Sequence, residues 1–270
     1  MLKKYTLELL TLTLLSLALP SYAINLMPTA EGTLLFPVPS VVAPFAFGMN
    51  NGQIGGGLGG SYCLSDDIHC KANYDGMLAY GFGDPTHIVN IDIAGILSSA
   101  PETPESDSLT TRGSAFMKIR HFFPGSKTAI ATGINWIFFN KFQDTSPFSN
   151  YFTITQLIPS KPDQISGDNF PLSITTGASQ GVAYSQITCA EDAAYSVVQH
   201  NSRYYPFIGI GIQFTPKIAL AVDDYYRGIV NMSITTQFTK KSPQISLGLL
   251  NVLAQHPDEQ SRAIMLSVSL

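Results

Sequence analysis

The sequence predicts an all-β chain: a closed antiparallel transmembrane β-barrel of about twelve strands in an up-and-down meander. Three observations carry that expectation. Only 13% of the 270 residues are charged, about half the usual ~25%, while 45% are hydrophobic and 11% aromatic. Short runs that alternate apolar and polar residues recur from about residue 53 to the end, separated by turn residues. The connections between these runs alternate between short and long. Short turns at one rim and longer loops at the other are how barrels of the bacterial outer membrane are built.

The first residues read as an address. Lys3 and Lys4 precede an apolar run over 9–19, and Pro20, Ser21, Tyr22 and Ala23 follow, with small residues at −3 and −1 of a cut after Ala23. That is the layout of a secretory signal peptide. The run is shorter than the ~20 residues a spanning helix needs. The nearest later candidate, 34–47, is interrupted by Pro37, Pro39 and Pro44. The expected organisation is 1–23 signal peptide, 24–52 a periplasmic or lumen-inserted N-terminal segment, and 53–270 the barrel. An exported, apolar chain without a spanning helix is either soluble and well buried or a barrel. The net charge of −4 gives no bulk attraction to nucleic acid, and none is expected as a partner.

The strands follow in order. The first, 53–62, is glycine-rich; Gly55, Gly57 and Gly59 share a face of bare backbone that leaves room for another segment. The second, 75–83, turns through Asp84-Pro85-Thr86 into the third, 87–97, where Val89, Ile91, Ile93 and Leu97 oppose Asn90, Asp92 and Ala94. In the fourth, 113–122, Ala115, Met117 and Ile119 oppose Lys118 and Arg120; a short turn leads to the fifth, 128–138. The sixth and seventh, 151–158 and 170–179, are joined by a connection long for its rim. Thr215-Pro216 joins the eighth, 204–214, to the ninth, 217–225. Tyr226-Arg227, short for its rim, leads to the tenth, 228–238, where Val230, Met232, Ile234 and Phe238 oppose Asn231, Ser233, Thr235 and Gln237. The eleventh is 243–252. The twelfth, 262–270, sets Ile264, Leu266, Val268 and Leu270 against Ser267 and Ser269. An even number of strands, most 9 to 11 residues long, suits a closed barrel crossing a bilayer. Aromatic residues gather at both sets of ends: Tyr62, Tyr74, Trp136, Phe138, Tyr151, Phe152, Tyr204, Tyr205, Tyr225 and Tyr226 at one, Phe82, Phe122, Phe123, Phe214 and Phe238 at the other. Two bands match two membrane interfaces. Phe116, mid-strand on the polar face, stands outside this pattern.

The last strand, apolar at 264, 266, 268 and 270, resembles the terminal strand by which the barrel-assembly machinery recognises outer-membrane proteins, with Leu270 where the usual ending is aromatic. Pro44-Phe45-Ala46-Phe47-Gly48 and Gly81-Phe82-Gly83-Asp84-Pro85 add to a resemblance of the whole chain to small, porin-like bacterial outer-membrane barrel proteins. That resemblance implies the outer membrane of a Gram-negative-type bacterium, contact with outer-membrane lipid, and the assembly machinery as a partner during insertion.

Candidate sites are few. Inward Asp92, Lys118, Arg120 and Asp223 are the lumen-lining candidates, with Asp92 and Lys118 at similar depth on neighbouring strands and Arg120 one step below. Such charges set solute selectivity, or form a cross-strand pair worth about 0.2–1 kcal/mol. Cys63 and Cys70 flank a short outer loop and are the disulfide candidate in an oxidising compartment; pairing of either with Cys189 stays open. Gly55, Gly57 and Gly60 match G-x-G-x-x-G, but no helix follows to meet a pyrophosphate. Asp66, Asp67 and His69 make a weak metal alternative. His87 and His121 belong near the inner rim, and His69, His200 and His256 in outer loops; none forms the Ser–His pair that twelve-stranded outer-membrane phospholipases carry on a strand's outer surface. No catalytic residue, metal or cofactor is expected. The leading function is a narrow porin-like channel for small solutes. The alternatives are a surface protein that binds a partner through loops 98–112 and 180–203, with the barrel as anchor, and a soluble secreted β-domain.

Overall fold

The computed structural model describes residues 46–49, 51–63, 73–99, 112–140, 148–158, 172–180, 204–215, 217–225, 230–237, 243–250, 252 and 263–269. Twelve strands run β1 (Ile54–Cys63), β2 (Asn73–Gly83), β3 (Asn90–Ser99), β4 (Arg112–Phe123), β5 (Thr128–Asn140), β6 (Phe148–Ile158), β7 (Leu172–Gln180), β8 (Tyr204–Thr215), β9 (Ile218–Tyr225), β10 (Val230–Gln237), β11 (Gln244–Leu250) and β12 (Ala263–Ser269). Each pairs antiparallel with its sequence neighbours, and β1 pairs with β12, so the sheet closes. Closure leaves no sheet edge, which is the condition for a sheet to sit in hydrocarbon, where an unpaired N–H or C=O costs several kcal/mol.

Alternation decides which side chains face out. On β8, Tyr204, Pro206, Ile208, Ile210, Ile212 and Phe214 are exposed, while Phe207, Gly209, Gly211 and Gln213 are buried. On β10, Met232 and Ile234 point out and Asn231, Ser233 and Thr235 point in. Most outward positions are therefore apolar and exposed, and the inward ones small and polar, the reverse of a soluble domain. Among the described strand side chains, Asp224, at the long-loop end of β9, is the only Asp, Glu, Lys or Arg on the outward face. A soluble secreted β-domain has no place for such a belt.

The two aromatic bands differ in detail from the sequence expectation. Tyr62, Tyr74, Trp136, Phe138, Phe148 and Tyr204 stand outward toward the long-loop rim, and Phe82, Phe123 and Phe214 at the short-turn rim. Tyr151 turns inward and is buried, because it shares the parity of Thr153 and Thr155 on β6. Its ring stacks on Phe116 at 6.1 Å, which accounts for that phenylalanine on an inward face. The space comes from Gly133 on β5, where a Cβ would lie 2.6 Å from Tyr151 Cζ. The third strand starts later than its alternation predicts. The Asp84 carbonyl accepts the Ile88 N–H at 3.2 Å, and the Asp84 carboxylate accepts the Thr86 N–H at 2.8 Å, so the chain stays in a turn through Val89.

Candidate functional site

The candidate site is inside the barrel, near the short-turn rim. Residues 46–49, just before β1, lie within the lumen rather than outside it: Ala46, Phe47 and Met49 are buried. Gly52, with φ +75°, and the Asn51 side chain, whose Oδ1 accepts the Gly83 N–H at 3.1 Å, turn the chain from β1 into the barrel. A left-handed φ of this kind favours glycine. The segment then crosses from the β1–β2 side to β6, where Ala46 N–H donates to Thr155 Oγ1 at 3.2 Å. We call it the strap.

Three inward charges hold the strap. Register sets Asp92 on β3 directly opposite Lys118 on β4, and Asn90 opposite Arg120. Lys118 Nζ lies 3.1 Å from Asp92 Oδ2, and Arg120 Nε 3.7 Å from the same oxygen. All three are buried. Each also reaches the strap's backbone. Lys118 Nζ donates to the Phe47 carbonyl at 2.6 Å, Arg120 donates to the Met49 carbonyl, and Asp92 Oδ1 accepts the Met49 N–H at 3.2 Å. Arg120 Nε also donates to Asn90 Oδ1 at 3.1 Å. The ions thus neutralise one another in part and satisfy backbone groups that a strap crossing a lumen would otherwise leave unpaired. Gly48 is required at the contact, since a Cβ there would overlap the Asp92 carboxylate and sit 2.7 Å from Lys118 Nζ.

Apolar contacts flank the ions. Phe47 packs with Ala129, Ala131 and Leu157, and its ring meets Phe122 at 5.8 Å. Met49 joins Ala79, Ala94, Phe116 and Tyr151. The β2–β6 wall is therefore covered by the strap and by aromatic side chains.

Asp223 is placed elsewhere. It faces inward from β9, opposite Asn231 on β10, whose Nδ2 donates to it at 2.7 Å. In the closed order β9 lies half-way round the barrel from β3, so the lumen holds the Asp92 cluster and Asp223 on opposing walls. Sequence reasoning named all four residues, but not the strap backbone that Asp92, Lys118 and Arg120 bind. The sequence expectation of a lumen-inserted segment rests on the bare face of Gly55, Gly57 and Gly59 on β1, not on the inward ions.

The remaining candidates give little. Cys70 lies outside the described residues, as do Cys189, Asp66, Asp67, His69, His200 and His256, and the side chain of Cys63 is likewise not described. His87 contacts both Asp84 Oδ2 at 2.7 Å and Thr86 Oγ1 at 3.2 Å, but through one nitrogen, Nδ1, so the ring cannot relay a proton between them. These bonds, with the two from Thr86 to Asp84, hold the Asp84 carboxyl well below the usual carboxylate range. Thr86 contributes most to that shift, through its hydroxyl and its backbone N–H. His121 faces out from β4 and meets the Ile88 carbonyl at 2.5 Å. Gly55, Gly57 and Gly59 take the inward positions of β1.

No protein-family model matches the chain, and no curated protein matches it. Among solved structures it is similar to outer membrane phospholipase A from Escherichia coli, at 10% identity and a TM-score of 0.49, over 80% of this chain and 92% of that one. It is also similar to an outer membrane channel from Pseudomonas putida F1, at 10% identity and a TM-score of 0.47, over 82% of this chain and 96% of that one. Both of those proteins are outer-membrane proteins by name, and no property of either is carried to this chain.

Proposed function

We propose that the protein is a non-catalytic outer-membrane barrel whose lumen forms a narrow, porin-like path for small solutes, constricted by the strap near its periplasmic rim. The observation that carries this reading is the anchoring of residues 46–49 across the lumen by Asp92, Lys118 and Arg120. Buried ions that hold a backbone segment across the lumen narrow it, a role that a barrel serving only as an anchor does not require. Short turns mark the periplasmic rim and long loops the outer one. The signal peptide, cleaved near Ala23, and the barrel-assembly machinery deliver the chain to a Gram-negative-type outer membrane, where lipid surrounds the apolar belt.

Planar-bilayer recording of the mature chain tests the reading. The expected result is a small conductance that rises when Asp92→Asn loosens the strap. Absence of current in both proteins would overturn it and favour the anchor, with loops 98–112 and 180–203 as partner-binding surfaces.

A further inference from the structure

On the long-loop side of the strap, the same wall carries a second inward cluster that the ions do not use. Ser114 on β4, Asn135 on β5 and Ser149 on β6 share the inward face of three neighbouring strands. Register sets Asn135 between Phe116 on β4 and Ser149 on β6, and Ser114 follows Phe116 on the same face toward the long-loop rim. The β4–β5 register shifts between Gly113 and Ser114, an irregularity of the kind that re-aims a side chain. Ser114 is 1% exposed, Asn135 3% and Ser149 5%. Among the described residues, none offers a hydrogen-bond partner to Ser114 Oγ, Asn135 Oδ1 or Ser149 Oγ. Leaving one buried polar atom unpaired is costly, and most are paired. Three on adjacent strands point to a ligand.

The surroundings decide its chemistry. Phe116 and Tyr151, stacked at 6.1 Å and packed with Met49 of the strap, Ala94 and Ile96, make an apolar wall beside the three polar groups. None of these residues is charged. The ions further along β4, Lys118 and Arg120, are committed to Asp92 and to the strap's carbonyls. A charged ligand would shed its water here without gaining a counter-ion. A wholly apolar ligand would leave the amide oxygen and both hydroxyls unpaired. Asn135 Oδ1 only accepts, whereas a serine hydroxyl donates and accepts. Hydroxyl groups on the ligand meet both needs, and the carbon-bound hydrogens of a saturated ring pack against the apolar wall.

We propose that Ser114, Asn135 and Ser149 form a binding site for an uncharged, hydroxylated ring of monosaccharide size, seated against Phe116 and Tyr151 on the long-loop side of the strap. The proposal rests on the porin-like reading and names its solute class. Its test reads binding and not current, so a barrel that binds such a ring without conducting would count against the channel alone.

Saturation-transfer NMR on the mature chain in detergent micelles is the test, with D-glucose, D-galactose and D-mannose as probes and phenol and benzoate as comparisons. Transfer is expected to at least one hexose. Ser114→Ala and Ser149→Ala are each expected to weaken that hexose about fivefold, and Asn135→Leu at least about tenfold. Both serine variants are also expected to keep or raise the urea midpoint measured without sugar, because each removes an unpaired buried hydroxyl. A lowered midpoint in both would mark the serines as structural groups bonded to water or to a connecting loop, and would overturn the proposal. So would transfer to none of the hexoses, unchanged affinity in both serine variants, or phenol or benzoate bound in place of the hexoses. If Asn135→Leu does not fold, the two serine variants decide.

Discussion

One added methyl group at Gly48 tests the strap most sharply. In Gly48→Ala the new Cβ overlaps the Asp92 carboxylate and lies 2.7 Å from Lys118 Nζ. Neither atom is free to retreat: Asp92 is held by Lys118 at 3.1 Å and by the Met49 N–H at 3.2 Å, and Lys118 by the Phe47 carbonyl at 2.6 Å. Two responses remain. The ion pair breaks, at about 3–5 kcal/mol for uncompensated buried charge. Or the strap lifts, losing three charge-assisted hydrogen bonds of about 1.5–3 kcal/mol each, together with the burial of Phe47 and Met49. The cheaper response still costs about 3 kcal/mol, which corresponds to a rise of roughly 100-fold in the population with the strap released. Hydrogen exchange at the Met49 amide reads that population, so its protection is expected to fall by roughly that factor. Gly125→Ala, in a turn where a Cβ meets nothing within 4 Å, is the control and is expected to change nothing. Unchanged protection of Met49 in Gly48→Ala would refute the reasoning.

Other perturbations follow from the same geometry. Gly133→Ala displaces the Tyr151 ring from its stack on Phe116 and is expected to destabilise the barrel by about 1–3 kcal/mol in urea unfolding. In a Tyr151→Ala background the same change is expected to be nearly neutral. Ile210→Arg, mid-strand on the outward face of β8, is expected to cost about 2–4 kcal/mol, and Tyr204→Arg at the rim only about 0–1 kcal/mol, both by denaturant titration in lipid. Asp84 titrates below the ordinary carboxylate value of about 3.9, so its contribution to the β2–β3 turn is complete above that pH and fades as pH falls toward the folded value. Carboxyl NMR on the mature protein reads the midpoint; a value at or above 3.9, or turn order that persists at the lowest pH, would contradict the assignment.

Much of the architecture was legible because a barrel writes itself in alternation. Met232 and Ile234 against Ser233 and Thr235 fix which face of β10 meets lipid, and no tertiary contact is needed to read it. Depth was legible as well, since counting from the turns brings Asp92 level with Lys118. What the pattern could not carry was long-range. Residues 46–49 have no period, and their position is set by ions more than 40 residues away in sequence. Tyr151 lies near a loop, which suggests an interface position, but its shared parity with Thr153 and Thr155 turns it inward. The start of β3 was misplaced because apolar Ile88 and Val89 extend the alternation, while side-chain bonds to Asp84 hold that stretch in a turn.

The central claim is that the outward face of this barrel lies in lipid. The chain has a single tryptophan, Trp136, which stands outward on β5 and is 54% exposed near the long-loop rim. Its fluorescence in vesicles containing brominated phospholipids tests that claim directly. Strong quenching by bromines placed high on the acyl chains, weaker quenching by deep ones, and shielding from aqueous iodide are the expected result. Free quenching by iodide with no effect of any brominated lipid would contradict it.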